Sequence, residues 1–254
     1  MMQKPCLKKS KESFAADSIT IFDNIEARDL FLYLKNEKIL ILADVHIGFE
    51  EYLNNLGILV PRFQVKELEK RFEKAVKGIE IKKIIINGDL KHEFGTISKQ
   101  EWIDTLRFLD FLKNFCREII LLKGNHDTIL GPIARKKGLS ILNHYFVNDV
   151  YIVHGHEIPN DKNFKDAKIV IIGHEHPAIS FKQRKDERFK CYLVGKFKRK
   201  TLIVQPSCNL VLEGTDVTKE CLISPFLESL DLKNFEILVV EDKVYRFGKL
   251  KNII

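Results

Sequence analysis

KILILADVH (Lys38–His46), KKIIINGD (Lys82–Asp89), EIILLKGNHD (Glu118–Asp127), VYIVHGH (Val150–His156) and KIVIIGHEH (Lys168–His176) are the five segments that decide the fold. Each climbs an apolar, β-branched stretch and stops on side chains that bind metal ions. Short apolar runs of this kind, bounded by polar residues or glycine, read as strands buried on both faces. Ligand sites of open α/β sheets lie beyond the carboxyl ends of such strands. Asp44, His46, Asp89, Asn125, His126, His154, His174 and His176 can therefore converge on one small volume. Seven of the eight histidines sit in or beside these segments. His144 lies apart and reads as a structural, hydrogen-bonded residue.

The segments between the strands support a layered α/β chain. After His46, GFEEYLNNLGILVPRFQ reads as loop-rich as far as Pro61. Phe63, Leu68, Phe72, Ala75 and Val76 then recur at helical spacing and end near Gly78. Ser98 with Glu101 is a capping-box start. Behind it, Trp102, Leu106, Leu109, Leu112 and Phe115 form an apolar helical stripe, so Trp102 reads as core packing. A short helix is expected around Ile129–Lys137. Strand–helix–strand–helix–strand order implies parallel pairing. Short strands are also expected at Ile19–Phe22 and Leu30–Leu34. Past His176 the pattern changes to short strands (Phe189–Val194, Lys200–Gln205, Phe235–Glu241, Lys243–Phe247), which suggests a second sheet packed on the first.

Bulk composition narrows the class. Residues 1–13 read as a polar tail and 14–254 as a single domain. The tail lacks the apolar core of a secretion signal, and no apolar run approaches the roughly 18–20 residues that span a bilayer. A cytoplasmic protein is expected. Its five cysteines are scattered without a CxxC pair, which speaks against a zinc knuckle and for reduced thiols. A formal charge of +7 favours polyanionic partners. Lys182–Lys200 holds nine basic residues with Phe189, Tyr192 and Phe197 interleaved. Such a segment can track a phosphate backbone; the reading preferred here is a solvated charged hairpin with its aromatics turned inward.

The ligand chemistry points to two divalent cations. Asp44 and His46 can reach one ion if the chain turns there. Asp89, after the tight Asn87-Gly88 pair, suits a carboxylate shared between ions. Asn125 and His154 suit the second ion, and His174 and His176 flank Glu175 in one loop. Two carboxylates against two divalent ions leave about +2, which attracts phosphate and acidifies a bound water. Oxygen and nitrogen donors without thiolate fit Mn²⁺ first, with Fe, Zn, Co or Ni also compatible.

Asp44-x-His46, Gly88-Asp89, Gly124-Asn125-His126-Asp127, His154 and Gly173-His174-x-His176 resemble, in this order, the motifs of calcineurin-like metallophosphoesterases. INGDLKHEFG, KGNHD, VIIGHEHPA and LIVQPSCN…GTDV are similar to the archaeal phosphoesterases related to the SbcD nuclease and to the ligase-associated endonuclease PdeM. The resemblance implies a four-layer α/β/β/α sandwich. It implies one ion held by Asp44, His46, Asp89 and His176, and another by Asp89, Asn125, His154 and His174. It further implies His126 as general acid, with Asp127 fixing its tautomer. VHGH offers both His154 and His156, and His154 is preferred because it ends the strand. His92 reads as a residue behind the ligands or facing substrate.

The expected activity is phosphodiester hydrolysis, with DNA or RNA as substrate. A phosphomonoesterase acting on phosphoproteins or nucleotides uses the same metal chemistry. A catalytically silent protein-binding scaffold is the alternative from another class.

Overall fold

The computed structural model describes residues 15–22, 24–92, 97–127, 129–182 and 184–253; the polar tail lies outside them. Two sheets carry the chain. In the seven-stranded sheet the order is Ser18–Phe22, Ile25–Arg28, Phe31–Leu34, Ile39–Leu42, Lys83–Asn87, Glu118–Leu122, Ser140–Leu142. The first four strands pair antiparallel, and from Ile39–Leu42 onward the pairing is parallel. In the second sheet Ile169–Ile172 lies parallel to both Val150–Val153 and Lys200–Val204. Arg184–Phe197, Glu236–Val240 and Val244–Lys249 extend it antiparallel.

Alternating burial explains why the sheets stack. In the second sheet Ile152, Ile171, Tyr192, Ile203 and Leu238 share one core with the first sheet, while Tyr151, Val170, Val204, Leu193 and Ile237 face the opposite side. Successive strand residues point to opposite faces, so both faces must be covered. Helices Gln64–Ala75, Lys99–Lys113 and Leu130–Lys137 bring Leu68, Phe72, Phe108, Leu112 and Ile133 into the core shared with the first sheet. Ser98 Oγ accepts from Glu101 N at 3.0 Å, the expected cap. Over the outer face of the second sheet lie Phe164 from the five-residue helix Lys162–Asp166, with Phe226, Leu232 and Leu250. The architecture is the α/β/β/α sandwich, with a thin fourth layer. The connection between Val150–Val153 and Ile169–Ile172 carries only the short helix Lys162–Asp166.

Several elements differ from expectation. Within Gly48–Pro61, read as loop, Phe49–Asn55 is helical. Its turns are too few for an apolar period to show. Glu50 and Glu51 occupy its positive first turn, and Asn54 bridges Glu50 O and Val60 O at 2.7 and 2.9 Å. Arg184–Phe197 is a single long strand rather than Phe189–Val194. Its Phe189, Tyr192 and Phe197 are buried, as the hairpin reading expects. Trp102 packs against the core, and His144 stacks on Tyr151 with ring centres 4.6 Å apart. Cys116, Cys191, Cys208 and Cys221 are free thiols. Among the described residues no helix is long and apolar enough to cross a membrane.

Candidate metal centre

Five of the expected ligands have left-handed backbone: Asp44 (φ 54°), His46 (φ 48°), Asp89 (φ 49°), His174 (φ 65°) and His176 (φ 51°). Such conformations cost non-glycine residues on the order of 1–3 kcal/mol each and persist only where surroundings enforce them. Here the enforcing bonds are visible. Asp44 N donates to Gly88 O and His46 N to Asp89 O, at 3.2 and 2.9 Å. His174 N donates to both carboxylate oxygens of Asp44, at 3.1 and 3.0 Å. The turns at Asp44 and His46 fold the strand end back, so both side chains meet the same volume.

Two glycines make room. A Cβ on Gly124 would stand 2.1 Å from Asp89 Oδ1, and one on Gly88 2.2 Å from His154 Nδ1. Any side chain at either position would displace a ligand.

The side chains gather in two groups. Asp44, His46 and His176 form one, and Asp89, His154 and His174 the other. His46 Nε2 and His176 Nε2 lie 3.3 Å apart, and His176 Nε2 is 3.4 Å from Asp44 Oδ1. His154 Nε2 is 3.0 Å from Asn125 Oδ1 and 3.3 Å from Asp89 Oδ2. The same Asp89 Oδ2 lies 3.7 Å from His46 Nε2, so this oxygen stands between the groups. Donor bonds of about 2.0–2.2 Å put neighbouring ligands on one ion roughly 3–3.5 Å apart. The spacing fits cations. His154 belongs to the second group; His156 belongs to neither and has a buried, unpartnered Nδ1. Asp44 and Asp89, with Asn125, end strands of the seven-stranded sheet, whereas His154, His174 and His176 come from the second sheet.

Charge is concentrated without solvent. Burial raises the Asp89 carboxyl, but hydrogen bonding to His154 and the nearby imidazoles outweigh it and hold the group below its ordinary range. Burial also opposes the His154 imidazolium, yet Asp89 and Asp44 push its pKa up to about 9. His46 is driven well below the usual value by burial and His176. Burial and His154 lower His174 to about 4. Neutral imidazoles are the ligating form.

His126 donates its main-chain N to Asp89 Oδ1 at 2.9 Å, and its Nδ1 lies 2.6 Å from His92 O. A carbonyl only accepts, so Nδ1 carries hydrogen. Asp127 does not set this tautomer. Its Oδ2 accepts from Asp89 N and Gly124 N at 2.7 and 3.1 Å, while Oδ1 has no hydrogen-bond partner. The reason is geometric: the turn after Glu118–Leu122 points Asp127 inward, where it ties the Asp89 and Gly124 main chains together. Burial and Asp89 raise its pKa to about 7.

Sequence reading missed the supports. Lys91 is fully buried and donates from Nζ to His126 O at 2.8 Å. Gln205–Asn209 stitches the second sheet to the first ligand loop. Gln205 Nε2 donates to Leu30 O and Ile41 O, Ser207 Oγ to Asp44 O, and Cys208 N to Ala43 O, all within 2.8–2.9 Å. The sequence singles this stretch out as LIVQPSCN, a polar run directly after an apolar strand, without telling which main-chain groups it holds.

A family model described as calcineurin-like phosphoesterase matches residues 37–214. No curated protein sequence matches the chain significantly. Among solved structures, the nuclease MPE of Pseudomonas putida is 15% identical with a TM-score of 0.63, covering 88% of this chain and 94% of that one. Vps29 of Chaetomium thermophilum, 14% identical, covers 80% of this chain and 84% of its own at a TM-score of 0.39. The phosphoesterase YfcE of E. coli, 12% identical, covers 80% and 88% at 0.36.

Proposed function

Since the chain belongs to the calcineurin-like phosphoesterase family, and so to the metal-dependent hydrolases of phosphate esters, we propose that it cleaves phosphodiester bonds and that nucleic acid is its substrate. The observation that carries this reading is the pair of adjoining ligand groups, with Asp89 Oδ2 3.3 Å from His154 Nε2 and 3.7 Å from His46 Nε2 and the His126 main-chain N bonded to the same carboxylate. Asp44, His46, Asp89 and His176 would hold one cation, and Asp89, Asn125, His154 and His174 the other. Manganese heads the metals this donor set suits. When bound, the pair polarises phosphoryl oxygens and activates water for in-line attack.

The chain's own groups do the rest. Asp89 fixes the spacing of the two halves of the site. Asp127 and Gly124 fix Asp89. His126, held by His92 O through Nδ1, would present Nε2 to the departing ester oxygen and, with both ring nitrogens protonated, give it the Nε2 proton. Burial of Asp44, Asp89 and His154 excludes water and keeps the field of these charges strong. Net charge of +7 attracts a polyanion over distance.

Manganese-loaded protein offered bis-p-nitrophenyl phosphate, p-nitrophenyl phosphate and labelled DNA and RNA strands tests the reading. Diester and strand cleavage are expected. Robust monoesterase activity without any diester cleavage would replace it with the phosphomonoesterase reading.

A further inference from the structure

We propose that Tyr52 is the platform on which an unpaired nucleobase of the substrate stacks, beside the phosphate being cut. The inference rests on the nucleic-acid reading above and adds to it a preference for unpaired strands. A succession of rings leads from the reacting site to the surface. His126 stacks on His92 with ring centres 5.4 Å apart and planes 27° off parallel. His92 meets Tyr52 at 4.8 Å, and Phe49 lies parallel to Tyr52 at 6.0 Å and 24°. Phe49 is nearly buried, whereas Tyr52 is 37% exposed. Phe49 and His92 back the ring, and among the described residues no hydrogen bond ties down the Tyr52 hydroxyl.

Beyond the helix that carries Tyr52, Leu56, Ile58 and Leu59 follow with exposures of 60%, 54% and 90%. A nucleobase rather than a phosphate fits here, because Tyr52 lies one ring, His92, from His126, while its helix carries Glu50 and Glu51 and no basic residue. With the scissile phosphate at the candidate metal centre, the flanking base would find an aromatic face two rings away. Bases inside a duplex already stack on their neighbours, so only an unpaired or flipped base has a free face to offer.

The test uses an oligothymidylate strand and an abasic strand of equal length, with manganese-loaded wild type, Tyr52→Ala and Tyr52→Trp. Wild type should show a KM for the base-bearing strand about tenfold below that for the abasic strand, the range of one stacked base. That discrimination should collapse to about one in Tyr52→Ala and return in Tyr52→Trp. A second readout needs no turnover: metal-free protein should quench a strand containing 2-aminopurine, and Tyr52→Ala should not. Discrimination and quenching that survive in Tyr52→Ala overturn the platform while strand cleavage stands. So does a wild type that cuts both strands equally well. A wild type that cuts neither strand but hydrolyses p-nitrophenyl phosphate overturns the nucleic-acid reading, and the platform falls with it.

Discussion

Asp89 shows how much one residue can be asked to do. Its Oδ2 lies between His46 and His154, its Oδ1 accepts from His126 N, and its own N is held by Asp127. Asp89→Asn removes the shared charge and should abolish both manganese binding and activity, checked by metal analysis and diester turnover on the same sample. His126→Ala should keep both metal equivalents and lose on the order of 10²–10⁴ in kcat, as for removal of a general acid. Equal metal loss in the two variants would count against the role given to His126. Away from the centre, the Lys190 ammonium nitrogen is buried without a hydrogen-bond partner among the described residues, and burial lowers its pKa to about 8 from 10.5. A lysine whose pKa falls on folding weakens the fold while it is charged. The penalty is fully present below about pH 8 and fades as pH approaches 10.5, because the unfolded chain then loses its proton too. Lys190→Met should therefore be more stable than wild type at pH 7, by on the order of 1–3 kcal/mol, with the gap closing near pH 10 in urea denaturation.

At the scale of elements, the sequence was legible wherever a strand had to end on chemistry. Ile84–Ile86 and Val170–Ile172 can only be buried, and Asp89 and His174 after them can only be ligands or liabilities. Phe49–Asn55 was illegible because so few helical turns carry no period. The duty of Asp127 was illegible because GNHD does not tell which neighbour the carboxylate turns to. Left-handed ligand residues need close backbone approach on their far side, which Gly124 allows. Gly124→Ala would drive a methyl into Asp89. It should lower kcat at least about 100-fold by misplacing the shared ligand, with parallel loss of manganese in a binding titration. Gly131→Ala, whose methyl would meet only Arg135 Nη1 at 3.6 Å, is the control and should be silent.

For the whole molecule, the salient fact is that both sheets supply the proposed ligands, Asp44, His46, Asp89 and Asn125 following strands of one and His154, His174 and His176 strands of the other. Cations that bind only the folded form stabilise it by about 2.7 kcal/mol at a hundredfold excess over Kd. At about 2–4 °C per kcal/mol for a chain of this size, saturating manganese should raise Tm by about 5–10 °C over protein held in a chelator. Scanning calorimetry of both forms checks this; identical curves would mean the ions are not held as described.

His46 and His176 stand 130 positions apart in the chain yet touch through their ring nitrogens. Neither half of the protein can carry a working centre by itself. Hydrolytic power is thus the last property to appear as the polypeptide folds and the first to vanish when the seam between its halves loosens, so a lesion far from any ligand can silence the catalyst while nearly all of the core is still intact.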